Sequence, residues 1–261
     1  MIDRTTNQTT TTQRVTAAIA NASSRTGVSF GYLMDQARIE SGMRPDARAS
    51  TSSAAGLYQF TKQTWLGTVK QHGSVHGLNW ASDAISQNDD GTFSVANNTA
   101  RSAILNLRMN PEAAAAMAAE FAADNGEYLQ ARIGEAPQPV DLYLAHFLGA
   151  EGATRFLDEH RKKPDAAAAP IFPAAASANR SIFYRGDGSA RSLSEIRENF
   201  AAKLGNTPSQ PPMIVRTARH SEGQTGAHHA PLKMGGMEPM PKRLDLDFAR
   251  NAYRRLSGLP A

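Results

Sequence analysis

Apolar residues recur at helical spacing through much of the first 160 positions, while the period-two alternation of a half-buried strand is nearly absent. Val15, Ala18, Ile19 and Ala22 share one face, which predicts a helix over about residues 15–22. A second run follows Ser29, a suitable N-cap, and puts Phe30, Leu33, Met34 and Ala37 on one stripe. Gly42 and Pro45 close it, since glycine relaxes the backbone and proline cannot continue the hydrogen-bond ladder. Thr61 is placed to cap a helix through Trp65, Leu66 and Val69. Between His72 and Thr99, clusters of Gly, Asn and Asp predict loops around short elements. Helical patterns return near residues 100–107, 112–123, 126–133, 141–147 and 151–160. The body, residues 13–163, is therefore expected to be all-α.

The flanks read differently. Residues 1–12 are mostly Thr, Asn and Gln and are expected to be disordered. Residues 164–180, rich in Ala and Pro, read as a linker, and residues 181–204 as a short helical segment. In that segment SLSE, ending at Glu195, has the form of a capping box before apolar Ile196 and Phe200. Residues 205–261 are expected to be a mostly disordered basic extension, with a terminal amphipathic helix through Leu244, Phe248 and Tyr253. The hydrophobic share is 41%, but alanine supplies much of it and aromatics only 7%, which points to a helical domain with loosely packed appendages.

Charge sharpens this division. Residues 1–169 carry 15 Lys and Arg against 17 Asp and Glu, a net of −2, whereas residues 170–261 carry 13 against 7, a net of +6. The distal part is thus the region suited to an anionic partner or to another protein. No zinc finger, basic helix with interleaved aromatics or RNA-type sheet motif is present, which argues against nucleic acid. The absence of cysteine excludes disulfides, thiolate nucleophiles and cysteine-ligated zinc. His72 and His76 are four apart, but Gly73 and Gly77 interrupt the helix and no third ligand is evident, so no metal is implied. Nor is there a Walker or dinucleotide motif, and no cofactor is expected. No window approaches the roughly 18 apolar residues of a membrane span, and the polar opening MIDRTTNQTTTTQR shows no secretory h-region.

One residue breaks the apolar stripe of the second helix. Phe30, Leu33, Ala37 and Glu40 follow at spacings of 3, 4 and 3, so Glu40 continues the apolar face. Desolvation disfavours the charged form of a carboxyl group, which suits a general acid near neutral pH. The bland alternative has Glu40 peeling outward at the helix end to meet Arg38 or Arg44 in solvent. The next residues bear on the choice: Glu40-Ser41, then PDARAS, then AAGLYQF. This combination resembles the signature of the soluble lytic transglycosylases, a goose-type-lysozyme-like group of peptidoglycan-cleaving enzymes. The resemblance implies a lysozyme-like helical fold with Glu40 as catalytic acid, followed by Ser41. The family's GL-x-Q element falls on Gly56, Leu57 and Gln59, with Tyr58 at the variable position.

Weaker similarity continues in NGEYL, residues 125–129, and in DLYLAHFLGAEGATRFL, residues 141–157. The latter occupies the place of the family's Ala-Tyr-Asn-Ala-Gly element, with Ala145 and Gly149 fitting and His146 and Phe147 departing from tyrosine and asparagine. Tyr143, one turn before Phe147, is a candidate to supply the missing hydroxyl. Substrate-binding candidates are thus Ser41, Gly56, Tyr58, Gln59, Tyr143 and His146.

The implied reaction cleaves the bond between N-acetylmuramic acid and N-acetylglucosamine and leaves 1,6-anhydromuramoyl ends, with Glu40 serving twice. A hydrolytic muramidase, with Asp46, Asp83 or Glu151 as second carboxylate, is the enzymatic alternative. A non-catalytic peptidoglycan-binding or structural protein is the other. The expected workplace is the periplasm or cell wall, reached by non-standard export or phage-related delivery. The basic C-terminal region is a candidate contact for a secretion, flagellar or phage-particle protein.

Overall fold

The computed structural model describes residues 4–205, Thr51 excepted, with side chains from Thr9 onward. The architecture is predominantly helical, and the described residues hold one two-stranded hairpin beside eleven α-helices. In chain order the helices are α1 (Arg4–Thr26), α2 (Phe30–Ser41), α3 (Lys62–His72), α4 (Asn79–Ala84), α5 (Asn98–Asn106), α6 (Pro111–Ile133), α7 (Pro139–Lys162), α8 (Ala168–Ile171), α9 (Pro173–Ala178), α10 (Arg180–Phe183) and α11 (Leu193–Leu204). The hairpin pairs β1 (Ser86–Gln87) with β2 (Phe93–Ser94) in antiparallel register. Among the described residues no helix is long and apolar enough to cross a membrane.

Helix α6 is the element on which the others assemble, packing against α1, α2, α3 and α7. Its buried face is built from Ala114, Ala115, Ala118, Ala119, Ala122 and Ala123 around Met117. Methyl-sized side chains let neighbouring helices approach closely, because interaxial distance follows the bulk at the contact. The expected break between residues 123 and 126 does not occur: Asn125 and Gly126 lie buried within one continuous helix.

Helix α1 starts earlier than its apolar face alone predicts. Val15, Ala18, Ile19 and Ala22 are all buried against the core, and Arg14 clamps Glu112 of α6 through two 2.7 Å bonds. Once that docked turn is nucleated, propagation toward the N-terminus adds one bond per residue fixed. Residues 4–12, expected to be disordered, are therefore helical. The caps read from sequence are present: Ser29 accepts from the Tyr32 amide and Thr61 from that of Thr64. Gly42 ends α2 in the left-handed region at φ 61°, its amide bonded to the last turn.

The Ala/Pro segment is the largest difference from expectation. Residues 164–180, read as a linker, include α8 and α9 and bury Ala168, Ala169, Phe172 and Ala176. Two aromatic anchors explain the packing. Phe172 lies 5.8 Å from Phe156 of α7, and Phe183 stacks 6.3 Å from Phe147. The segment read as 181–204 resolves into α10 and α11, and α11 docks on both α7 and α2. Its capping box is formed, Ser192 Oγ accepting from the Glu195 amide and the Glu195 carboxylate accepting from that of Ser192. Leu193, Ile196, Phe200 and Leu204 face inward. The expected terminal helix through Leu244, Phe248 and Tyr253 lies outside the described residues.

The α7 helix changes direction at Gly149, whose φ of 76° and ψ of 161° interrupt the helical ladder. The half before the break carries Tyr143, His146 and Phe147 toward α2 and α11, and the half after it carries Phe156 toward α8 and α9. If residues 164–183 belong to the core, Phe183→Ala should lower unfolding free energy by about 3–5 kcal/mol. A urea titration showing a loss under about 0.5 kcal/mol would return that segment to the status of a linker.

Candidate active site

Glu40 sits in the last turn of α2, behind the fully buried Leu33 and Ala37. Its side chain is only 2% exposed. Phe30, the first residue of the predicted stripe, is 38% exposed, so the apolar face runs from Leu33 to Glu40. The solvent-facing alternative for Glu40 is thereby excluded: Arg38 pairs with Asp35 and Arg44 with Asp46.

The carboxylate meets two side chains of α7. Tyr143 donates its hydroxyl to Glu40 Oε1 at 3.2 Å. His146 brings Nε2 to 3.4 Å from the same oxygen, but out of line for a hydrogen bond, and neither ring nitrogen has a hydrogen-bond partner. Residues three apart lie on one helical face, which is why both reach the same group. Burial first, then the Glu40 charge and the hydrogen bond to it, push the Tyr143 phenol well above its usual range. Tyr143 is accordingly a neutral donor at any working pH. Tyr32, two turns before Glu40 on α2, is raised in the same way, by burial and then by Glu40.

The loop after α2 is held from below. Gly56 has φ +84°, and a Cβ there would fall 1.8 Å from the Arg108 carbonyl oxygen. The close approach that this glycine permits is thus to protein backbone. Arg108 reaches back into the loop, donating Nη1 to the carbonyls of Ser53 at 2.7 Å and Phe60 at 3.0 Å. Burial, with Arg48 nearby, lowers the Arg108 pKa to about 10, still charged at neutral pH. Gln59, itself at φ 48°, donates Nε2 to the carbonyls of Gly56 and Ala47. These bonds commit its amide nitrogen to the loop's own backbone.

Tyr58 corrects an expectation. It is 1% exposed and donates its hydroxyl to the Leu33 carbonyl, so it ties the loop to α2 and offers no ring face to a sugar. Ser41 is fully buried, donating to the Ala37 carbonyl and accepting from the Arg44 amide, which makes it part of the helix terminus. Of the predicted site residues, the structure brings Glu40, Tyr143 and His146 together, while Ser41, Gly56, Tyr58 and Gln59 build the turn and loop beside them. Aromatic contacts link the two groups: Trp65 to Phe60, Phe60 to Phe121, and Phe121 to His146.

Three participants were missed. Arg108 carries no local motif, only the oddity of a cation among apolar residues in ILNLRMN. Phe200 of α11 packs edge-on against Tyr143 at 5.1 Å, and Lys203 lies near enough to Glu40 to feel its charge. The helical spacing of α11 was legible, but nothing local says where the helix docks.

The proposed second carboxylates are solvent-exposed. Asp46 has a 77% exposed side chain beside Arg44, and Asp83 and Glu151 are exposed. His72 and His76 find acidic partners on α6: His72 Nε2 bonds Asp124 and His76 Nε2 bonds Glu120, both at 2.7 Å. His72 Nδ1 lies 3.6 Å from Glu120, so the groups alternate along a chain instead of converging. Among the described residues no group of three or more such side chains could hold a metal. The cluster fastens the end of α3 and the following turn to α6.

A comparison of the chain with models of known protein families finds no match. The case for function therefore rests on the residues themselves. Because Gly56 combines a left-handed φ with a backbone collision, Gly56→Ala should cost clearly more than the about 1–2 kcal/mol of backbone strain alone. Gly134→Ala, at φ +80° with open space around it, supplies that reference. Equal losses for the two variants in urea unfolding would show that the Arg108 contact does not constrain the loop.

Proposed function

We propose that the chain is a peptidoglycan lytic transglycosylase with a lysozyme-like helical domain, Glu40 acting as acid and then base. The observation that carries this reading is the state of the Glu40 carboxyl. It is almost wholly removed from solvent, hydrogen-bonded by a neutral phenol, and among the described residues forms no ion pair with Arg or Lys. A group held in that way can lose and regain a proton without first breaking a strong ion pair. The ES and GLYQF sequences around it add the family resemblance.

In the first step the Glu40 proton passes to the glycosidic oxygen as the bond to muramoyl C1 breaks, and the N-acetylglucosamine side departs as an alcohol. Positive charge develops at C1 beside the new carboxylate. Tyr143 donates to that carboxylate at 3.2 Å and keeps it oriented. In the second step the carboxylate takes the proton of the muramoyl C6 hydroxyl while O6 closes onto C1. The 1,6-anhydro ring forms, Glu40 is again protonated, and no water is consumed. A site dry enough to bury Glu40 favours this internal capture over hydrolysis.

The departures at residues 146 and 147, which motivate the scaffold alternative, are accommodated by packing. His146 places an imidazole where the family pattern has a tyrosine, still within 3.4 Å of Glu40. Phe147 is buried between Phe183 and Phe200, so an aromatic in place of asparagine serves the packing of α10 and α11. A two-carboxylate hydrolase would need a partner about 6.5–9.5 Å from Glu40 with water between. Asp46 has an exposed side chain paired with Arg44. The workplace proposed is the peptidoglycan layer, with the basic distal region contacting the export or assembly apparatus that brings the enzyme there.

Digestion of purified peptidoglycan with mass analysis of the released fragments tests the reaction. Wild type should give 1,6-anhydro ends, Glu40→Gln should lose at least about 100-fold in rate, and Tyr143→Phe about 10-fold. Reducing ends would identify a muramidase. Unchanged release by Glu40→Gln would remove Glu40 from the chemistry, and binding without cleavage by wild type would favour a scaffold.

A further inference from the structure

One buried side chain beside Glu40 has its hydrogen-bonding capacity left open. Both ring nitrogens of His146 are enclosed by protein, and neither has a hydrogen-bond partner among the described residues. Buried polar atoms are nearly always paired, so an imidazole with two unpaired nitrogens is an exception with a cause to be found. A neutral imidazole carries one N–H donor and one bare nitrogen, and the donor needs an acceptor.

The surroundings narrow the choice of acceptor. Phe121 of α6 stands edge-on to the His146 ring at 6.4 Å, and the Tyr143 ring lies 5.9 Å away on α7. Between these rings the acceptor within reach is Glu40 Oε1, 3.4 Å from His146 Nε2, where only the angle is out of line. Tyr143 already donates to this same oxygen at 3.2 Å, and burial keeps its phenol neutral. A carboxyl oxygen has two lone pairs and can take both donors. Both α7 side chains thus address Oε1, and neither of these contacts is made to Oε2.

We propose that His146 is a second positioning residue for Glu40: a small turn of its ring lets Nε2–H donate to Oε1 beside Tyr143, which leaves Oε2 as the oxygen that gives and takes the catalytic proton. The role of Oε2 rests on the transglycosylase reading, whereas the Nε2–Oε1 bond does not. Two donors on one oxygen distinguish the two ends of an otherwise symmetric group. A proton on Oε1 would point at a bare Nε2 and be held against α7. A proton on Oε2 is free of both α7 contacts. The arrangement also survives the reaction. Oε1 accepts the same two bonds when Oε2 carries its proton to the glycosidic oxygen and when Oε2 takes one from the C6 hydroxyl. The carboxyl need not turn between the steps, which keeps the site preorganised.

Nuclear magnetic resonance of the full chain with isotopically labelled histidine nitrogens reads the His146 tautomer without substrate. Comparison with His146→Gln identifies its signals among the seven histidines. The expected state is a neutral ring protonated on Nε2. A proton on Nδ1 alone would overturn the proposal by leaving Nε2 bare, and a doubly protonated ring would overturn it by making Glu40 half of an ion pair. Kinetics on solubilised glycan strands give a second reading. The amide nitrogen of Gln extends as far as Nε2, that of Asn only as far as Nδ1. His146→Phe and His146→Asn should each lower kcat about tenfold with KM within about twofold, and His146→Gln should return kcat to within about threefold of wild type. Equal losses in all three variants would mean packing alone and overturn the proposal, as would a wild-type kcat in His146→Phe. A proton on Nε2 in a chain that cleaves nothing would keep the bond and reject the reaction. Anhydro products from a chain with the proton on Nδ1 would do the reverse.

Discussion

A carboxyl group carried into a protein interior must be given a donor, and the fold is organised around meeting that requirement for Glu40. A buried polar group left without a partner costs about 1–3 kcal/mol, a large part of a marginal domain's stability. Here the donor comes from Tyr143 on α7, adjacent in space but 103 residues away in sequence. The bond therefore fixes α2 against α7. The alanine face of α6, on which both helices pack, lets them approach closely enough to make it.

The turn that ends α2 follows from the same requirement. Gly42 takes the left-handed conformation, Ser41 satisfies the helix terminus, and the loop returns to the core through Tyr58. Arg108 then grips the loop by its carbonyls, and Gly56 lets the two backbones touch. None of these groups needs to meet substrate to matter. Each limits where the Glu40 carboxyl can be. The C-terminal helices extend the arrangement: Phe147 and Phe200 connect α10 and α11 to the helix bearing Tyr143, so the outer layer and the reactive group share one aromatic cluster.

Much of this was legible from local pattern. Spacing put Glu40 on the buried side of α2, and cap chemistry placed Ser29, Thr61 and the Ser192 box correctly, because caps are settled within a few residues. Tyr143 was reachable as the hydroxyl one turn before Phe147. What was not legible depends on distant contacts. The Ala/Pro stretch reads as a linker until Phe172 and Phe183 find Phe156 and Phe147. The polar start of α1 reads as disordered until Arg14 meets Glu112. Tyr58 and Gln59 look like substrate contacts because polar side chains in a glycine-bearing loop so often are. The fold engages the Tyr58 hydroxyl with Leu33 and the Gln59 amide nitrogen with Ala47 and Gly56.

The account depends most on the coupling between Glu40 and Tyr143, and a double-mutant cycle measures that coupling directly. Unfolding free energies of wild type, Glu40→Ala, Tyr143→Phe and the double variant give the interaction with other losses cancelled. A coupling of about 0.5–1.5 kcal/mol, the range for a typical side-chain hydrogen bond, is the expected result. Losses that add to within about 0.3 kcal/mol would mean that the carboxyl and the phenol do not depend on one another, and would contradict the account.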